Sequence, residues 1–182
     1  MPRIPLPAPE AMNPEQRRVY DAIVSGPRGQ LVGPLRAALH RPELADKWQQ
    51  LGAMLRYGTS LSPKLSELAI LVTARHTQSD VEWHIHELMA RKAELSADII
   101  ADIFAERRPA SADDDMLAIY DYALELNEKN TVGDETHRRV TQRFGVVAVV
   151  ELTALIGYYT MVAMTLNAHQ IPLPEGVPLV FK

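Results

Sequence analysis

Glutamate and histidine side chains cluster in an otherwise apolar stretch between residues 67 and 86. Glu82 and His86 are four residues apart, so at about 100° per residue they project from one face of a helix. Glu67 belongs to the preceding helix, which folds back on the next one if the loop around 77–78 is tight. A carboxylate facing a Glu–His pair is an arrangement suited to general acid–base catalysis. We therefore predict His86, Glu82 and Glu67 as catalytic residues.

Three neighbours of this cluster are candidate substrate-binding residues. Ser79 lies at the top of the Glu82 face, Arg75 could bind a substrate carboxylate, and Trp83 could contact the substrate. Structural roles stay open for all of them: Ser79 and Glu82 have the spacing of a capping box, Arg75 could pair with Glu67, and Trp83 could pack in the core.

Histidine spacing gives no support for a metal site. His84 is about 160° from Glu82 around a helix, so it points away from the face that carries His86. His86 could also be a core histidine without chemistry. We predict neither a metal nor another cofactor.

Turn signals divide the chain into segments of helical length. Five prolines within the first fourteen residues predict an extended arm, followed by a short helix to about Val24 and a Gly/Pro loop over 25–30. Prolines predict the starts of two further helices, at Pro42 and at Pro63 after Ser62. Serine caps predict three more: from Ser79 to about Lys92, from Ser96 to about Arg107, and from a capping box at Ser111. The last two helices are expected over Asp134 to Phe144 and over Val146 to about Leu166. No segment shows the alternation of a strand, so the predicted fold is all-α.

The last helix, from Val146 to about Leu166, is apolar on nearly all sides and is long enough to cross a membrane. Glu151, three threonines and two tyrosines lie within it, and the chain offers no second span. We favour a buried central helix over a membrane anchor.

Composition and charge limit the class of protein and the partners it can have. A chain of 182 residues with 47% hydrophobic and 23% charged residues is typical of one soluble domain. Net charge is −4, and no segment is strongly basic, which argues against nucleic-acid binding. There is no cysteine, so disulfides, thiolate metal sites and thiol nucleophiles are excluded. The N-terminus shows no continuous apolar signal segment, and we expect a cytoplasmic protein.

Several motifs occur together in one order: Leu61-Ser-Pro-Lys-Leu-Ser-Glu67, Glu82-Trp83-His84-Ile-His86, Ala93-Glu-Leu-Ser96 and Leu155-Ile-Gly157-Tyr158-Tyr159. In these motifs the sequence resembles the carboxymuconolactone decarboxylase / alkylhydroperoxidase D superfamily. The resemblance implies a helical bundle over 41–182, preceded by an N-terminal extension over 1–40. It also implies homo-oligomers, trimers or hexamers, with an arm free to embrace a neighbour.

The peroxidase branch of that superfamily uses a Glu, a Cys-x-x-Cys pair and a His. Glu67 and His86 match the Glu and the His, whereas Ser79 and Glu82 stand where the cysteines would be. Neither residue can cycle through a disulfide. The resemblance therefore implies a cofactor-independent decarboxylase-like lyase that acts on a small carboxylated lactone or related acid. Two alternatives stay open: an antioxidant of the alkylhydroperoxidase or peroxiredoxin type, and a non-catalytic oligomeric protein that binds a small molecule.

Overall fold

The computed structural model describes residues 1–31 and 33–181. Within these ranges the chain is all-helical, with no β-strand, as predicted. After a short 3-10 turn at Pro9–Ala11 come eight helices: α1 (Pro14–Ser25), α2 (Pro34–Ala38), α3 (Pro42–Tyr57), α4 (Pro63–His76), α5 (Asp80–Lys92), α6 (Ala97–Phe104), α7 (Asp114–Lys129) and α8 (Asp134–His169).

Proline and capping residues fix most helix starts. Pro14, Pro34, Pro42 and Pro63 each occupy the first turn, where the missing N–H costs no hydrogen bond. Ser62 and Ser96 accept hydrogen bonds from the backbone N–H groups three residues on, as predicted. Two predicted helix boundaries were wrong. The α7 cap is Asp113 rather than Ser111, and α6 ends at Phe104, three residues earlier than expected.

Helix α4 lies in the centre of the bundle and packs against α5, α7 and α8. Its side chains from Leu68 to Ala74 are all buried. Consecutive buried residues require neighbours on every side, and α5, α7 and α8 supply them. The central helix is thus α4, although the sequence pattern suggested the last helix for that position.

Helix α8 bends at Gly145, which separates a polar segment from an apolar one, as the sequence predicted. Gly145 has φ 83° and ψ 168°, a conformation that is essentially restricted to glycine. By length and hydropathy α8 is the one helix of the described chain that could span a membrane, and half of its most apolar window is buried inside the protein. Glu151 in that window accepts hydrogen bonds from the backbone N–H (2.8 Å) and hydroxyl (2.5 Å) of Ser60.

Both chain ends lie against the bundle. The arm hydrogen-bonds α8 through Arg3, whose N–H donates to the His169 carbonyl at 2.9 Å, and the Pro5 carbonyl is 2.7 Å from His40 Nε2. The arm therefore contacts its own chain, where the resemblance had implied an arm free to embrace a neighbour. At the other end, Asp80 Oδ1 accepts the backbone N–H groups of Val180 and Phe181.

Candidate functional site

The turn between α4 and α5 brings Glu67 to His86. Gln78 takes a left-handed conformation with φ 48°, and the Ser79 N–H donates to the Ala74 carbonyl at 3.1 Å, which makes the reversal tight. His86 Nδ1 then lies 2.6 Å from Glu67 Oε2. Such a hydrogen bond holds the imidazole in one orientation and leaves Nε2 for a second partner.

Glu82, one turn earlier on α5, faces this nitrogen without hydrogen-bonding to it. Its Oε2 is 3.5 Å from His86 Nε2 and makes no hydrogen bond to the described residues. Burial raises the pKa of Glu82, and Glu67 adds to this rise, while His86 and Arg56 oppose it. Glu82 thus keeps its proton to a higher pH than an exposed glutamate does. The structure therefore brings together all three predicted catalytic residues.

Two tyrosines from α8 and two arginines line a pocket beside Glu82 and His86. The ring of Tyr159 packs edge-on against His86, with 4.8 Å between centroids, and burial raises its pKa well above the usual value. Arg28 Nη2 donates to the Tyr158 hydroxyl at 3.3 Å. Arg28, Arg56, Glu82, His86, Tyr158 and Tyr159 all line one pocket, together with Gly33, Pro34, Leu35, Ile85 and Val162.

The pocket is narrow, with about 50 Å³ open to water-sized molecules. This volume has room for a few waters. A larger ligand therefore requires side chains at the rim to move. Arg28 and Arg56 are only half-buried, and they are the long, flexible side chains of the lining.

The three candidate substrate-binding residues lie outside this lining. Ser79 is fully buried, and its hydroxyl neither caps α5 nor finds a partner among the described residues, so the capping-box interpretation was wrong. Arg75 pairs with Glu106 at 3.0 Å and lies over the Phe181 ring at 5.2 Å. Trp83 packs in the same aromatic cluster, 5.7 Å from Phe181 between ring centroids. Arg75 does not pair with Glu67.

Sequence reasoning missed Arg28, Arg56, Tyr158 and Tyr159 as pocket residues. The tyrosine pair was part of a motif, but its separation from His86 along the chain gave no sign of contact. Arg28 comes from the 1–40 segment, which we had set apart as an extension. Its place in the pocket shows that this segment contributes to the site.

Glutamate and histidine are also metal ligands. Over residues 1–31 and 33–181, no group of three Asp, Glu or His side chains is placed to hold a metal ion. The hydrogen bond between Glu67 and His86 Nδ1 instead gives this cluster the form of a proton relay.

Glu82→Gln is expected to raise the free energy of unfolding at neutral pH. The pKa of Glu82 in the folded protein is raised above 4.5, so between these two pKa values the folded protein holds a proton that the unfolded chain has lost. The free energy of unfolding of the wild type therefore falls as the pH rises from 4.5 through the pKa of Glu82 in the folded protein. The variant has no carboxyl group at position 82, so its free energy of unfolding does not fall in this way. The fall in the wild type amounts to about 1.4 kcal/mol per unit of pKa shift. Urea unfolding of both proteins at about pH 4 and about pH 8 measures the difference.

Glu87→Gln is the matched control, because Glu87 lies on the same helix and forms a surface pair with Arg91. Its effect should stay below about 0.5 kcal/mol at both pH values. A stability difference between wild type and Glu82→Gln that does not grow with pH would contradict the raised pKa.

Comparisons with known proteins give one family-model match and several structures of similar fold. The carboxymuconolactone decarboxylase family model matches residues 42–125. An alkylhydroperoxidase AhpD core protein from Ralstonia eutropha JMP134, described as peroxidase-related, superposes with a TM-score of 0.79 at 15% identity, covering 96% of this chain and 93% of that one. A peroxidase-related protein from Silicibacter sp. TM1040 gives 0.78 at 14%, covering 94% and 91%.

A third similar structure is the debrominase Bmp8 in complex with 2,3,4-tribromopyrrole, with a TM-score of 0.75 at 13% identity and coverage of 95% and 91%. The search of curated proteins gives no match. Residues 42–125 thus match the carboxymuconolactone decarboxylase family model, and the described chain has the helical fold of the alkylhydroperoxidase D-like proteins.

Proposed function

We propose that this protein is a cofactor-independent acid–base lyase that removes CO₂ from a small carboxylated lactone or related acid. The observation that carries the proposal is the Glu82 carboxyl group, which is buried, faces the pocket and has a raised pKa. A buried carboxyl group whose pKa is raised is suited to act as a general acid. The absence of cysteine excludes peroxide reduction by a thiol of this chain.

Decarboxylation consumes one proton. The bond between the substrate carbon and its carboxylate breaks, CO₂ leaves, and the electron pair passes into a conjugated enolate. Glu82 then transfers its proton to carbon and becomes a carboxylate. Its position 3.5 Å from His86 Nε2 supports reprotonation from solvent through His86, whose other nitrogen is held by Glu67. Of the two roles predicted for His86, proton relay fits this order of groups better than direct donation to the substrate.

Charge in the pocket supports the same class of substrate. Arg56 forms no ion pair with a carboxylate of the described chain, although Glu67 and Glu82 are near enough to influence its pKa. A guanidinium without a fixed partner can stabilise the oxygen on which enolate charge develops. The debrominase neighbour, which binds a five-membered ring compound, supports the view that this fold can hold a ring of lactone size.

The test is CO₂ release and ultraviolet loss of 4-carboxymuconolactone with purified protein, with hydroperoxide consumption measured in parallel. We expect turnover of the lactone and none of the peroxide. Lactone binding without CO₂ release would instead support a non-catalytic binding protein. Peroxide consumption by metal-free protein would overturn the proposed chemistry in favour of an antioxidant.

We also propose that the protein forms homo-oligomers, trimers or hexamers, through one face of α8. Exposed apolar and small residues follow one another at intervals of three or four along this face, which we term the α8 stripe: Val146, Val150, Ala154, Gly157, Met161 and Met164. Val150 is 63% exposed and Met164 is 64% exposed. A continuous apolar stripe of this length is typical of a surface covered by another subunit.

Replacing Val150 and Met164 together by lysine is expected to convert the oligomer to monomer, because two charges cannot be buried without partners. Size-exclusion chromatography with light scattering measures the mass. Gln142→Lys, at an exposed polar position of the same helix, should leave the oligomer intact. A wild-type monomer, or an oligomer that tolerates both lysines, would contradict this interface.

A further inference from the structure

Helix α5 carries Glu82 in its first turn, yet that turn has no side-chain cap. Helices α4, α6 and α7 each begin with a side chain that accepts a backbone N–H, whereas the Ser79 hydroxyl at the start of α5 makes no such bond. A helix start without a cap leaves its first N–H groups unpaired and favours fraying. Glu82 is the third residue of α5 and is only 4% exposed. Its buried position therefore depends on contacts from outside the helix.

One set of such contacts comes from Val180 and Phe181, far along the chain. Asp80, the first residue of α5, is buried, and its Oδ1 accepts the backbone N–H groups of Val180 at 2.7 Å and of Phe181 at 3.1 Å. Hydrogen bonds to a charged acceptor are stronger than those between neutral groups. These two bonds therefore tie the start of α5 to a segment 100 residues away in the sequence.

The Phe181 ring holds the other end of the same turn. It packs edge-on against Trp83, with 5.7 Å between ring centroids, and stacks on Phe104 of α6 at 5.6 Å. Trp83 also packs on Phe104 at 5.2 Å, so the three rings form one cluster. Arg75 of α4 lies over the Phe181 ring at 5.2 Å, and its Nε donates to the Phe104 carbonyl at 2.7 Å. Helices α4 and α6 thus support the ring that contacts Trp83.

We propose that Asp80, Trp83 and Phe181 are positioning residues for Glu82. Together with Val180 they form a clamp, termed the α5 clamp, that holds the first turn of α5 closed and keeps the Glu82 carboxyl group buried at the pocket. None of the four lines the pocket, so they act through the backbone of α5 and not by contact with a substrate. The inference rests on the proposed function for the catalytic role of Glu82, but its test needs no turnover.

Phe181→Ala tests the α5 clamp through two readouts. Amide hydrogen exchange is expected to become about tenfold faster or more at Trp83, whose N–H donates to the Ser79 carbonyl in the first turn. The ¹³C titration midpoint of the Glu82 carboxyl should move towards 4.5, because an opened turn admits water to a group whose pKa is raised by burial. The variant keeps the charged and titratable groups that influence the pKa of Glu82: Arg28, Arg56, Glu67 and His86.

Three further variants separate the clamp from a general loss of packing. Leu179→Ala is the matched control, because Leu179 belongs to the same segment and is 54% exposed; it should leave both readouts unchanged. Phe181→Tyr keeps the ring and should behave as the wild type. Asp80→Ala should reproduce both changes seen in Phe181→Ala, whereas Asp80→Asn keeps an acceptor oxygen for the two N–H groups and should show neither.

Unchanged exchange at Trp83 and an unchanged Glu82 midpoint in both Phe181→Ala and Asp80→Ala would overturn the α5 clamp. If the wild-type midpoint is raised, faster exchange or lower stability to urea without a change of the midpoint would likewise overturn it, because Phe181 would then support only the fold. A wild-type midpoint at or below 4.5 would remove the proposed reaction, and exchange at Trp83 would then decide on the clamp alone. The two proposals can therefore fail separately.

Discussion

Glu82→Gln is expected to lower kcat for CO₂ release by about 10²–10⁴-fold, the usual contribution of a general acid. Glutamine has nearly the same size as glutamic acid but cannot deliver a proton to carbon. Glu82 is also 4% exposed and makes no ion pair other than its approach to His86, so the substitution leaves the packing in place. Steady-state assays with 4-carboxymuconolactone measure the effect, and KM should change much less than kcat.

Glu87→Gln again provides the comparison on α5, because it removes a carboxylate five residues further along without touching the pocket. Its kcat should stay within about twofold of wild type. If Glu82→Gln were as active as Glu87→Gln, Glu82 would not be the proton donor.

His86→Ala is expected to lower steady-state turnover by about 10²-fold while affecting the first turnover far less. His86 lies between Glu67 and Glu82, with Nδ1 2.6 Å from the first and Nε2 3.5 Å from the second. If it supplies protons to Glu82 after each cycle, its removal slows reprotonation but leaves the first proton in place. Rapid-mixing measurements should therefore show a burst of about one product per site.

His84→Ala is the matched control, because His84 lies on the same helix, is half-buried and does not line the pocket. It should show wild-type turnover without a burst. His86→Gln fills more of the space that alanine leaves empty and should reproduce the burst if the alanine variant is unstable. If the first turnover of His86→Ala were slowed as much as that of Glu82→Gln, His86 itself would be the proton donor to the substrate.

Local sequence patterns were sufficient for the helices and for one face of α5. Helical spacing placed Glu82 and His86 together, and the break at 77–78 indicated that Glu67 would fold back onto them. These inferences depend on positions close in the chain, where the helical repeat fixes geometry. The same patterns also separated a polar segment ending at Phe144 from an apolar one beginning at Val146, which the structure joins in one helix bent at Gly145, and located the start of α4 at Pro63.

Residues that meet across the bundle could not be predicted in this way. Arg75 follows Glu67 by eight residues, which is about 80° around the helix, so its side chain leaves the Glu67 face and reaches Phe104 and Phe181 instead. Trp83 is rotated by about 100° from Glu82 for the same reason. Arg28 reaches Tyr158 across 130 residues of sequence, and only tertiary packing brings them into contact.

The role of Glu82 as a general acid is tested by the pH titration of its carboxyl carbon by ¹³C NMR, with Glu82→Gln used to assign the signal. We expect a titration midpoint clearly above 4.5, the pKa of an unperturbed glutamate, because burial disfavours the charged form. A midpoint at or below 4.5 would show an ionised Glu82 throughout the neutral range. That result would remove the general acid on which the proposed reaction depends.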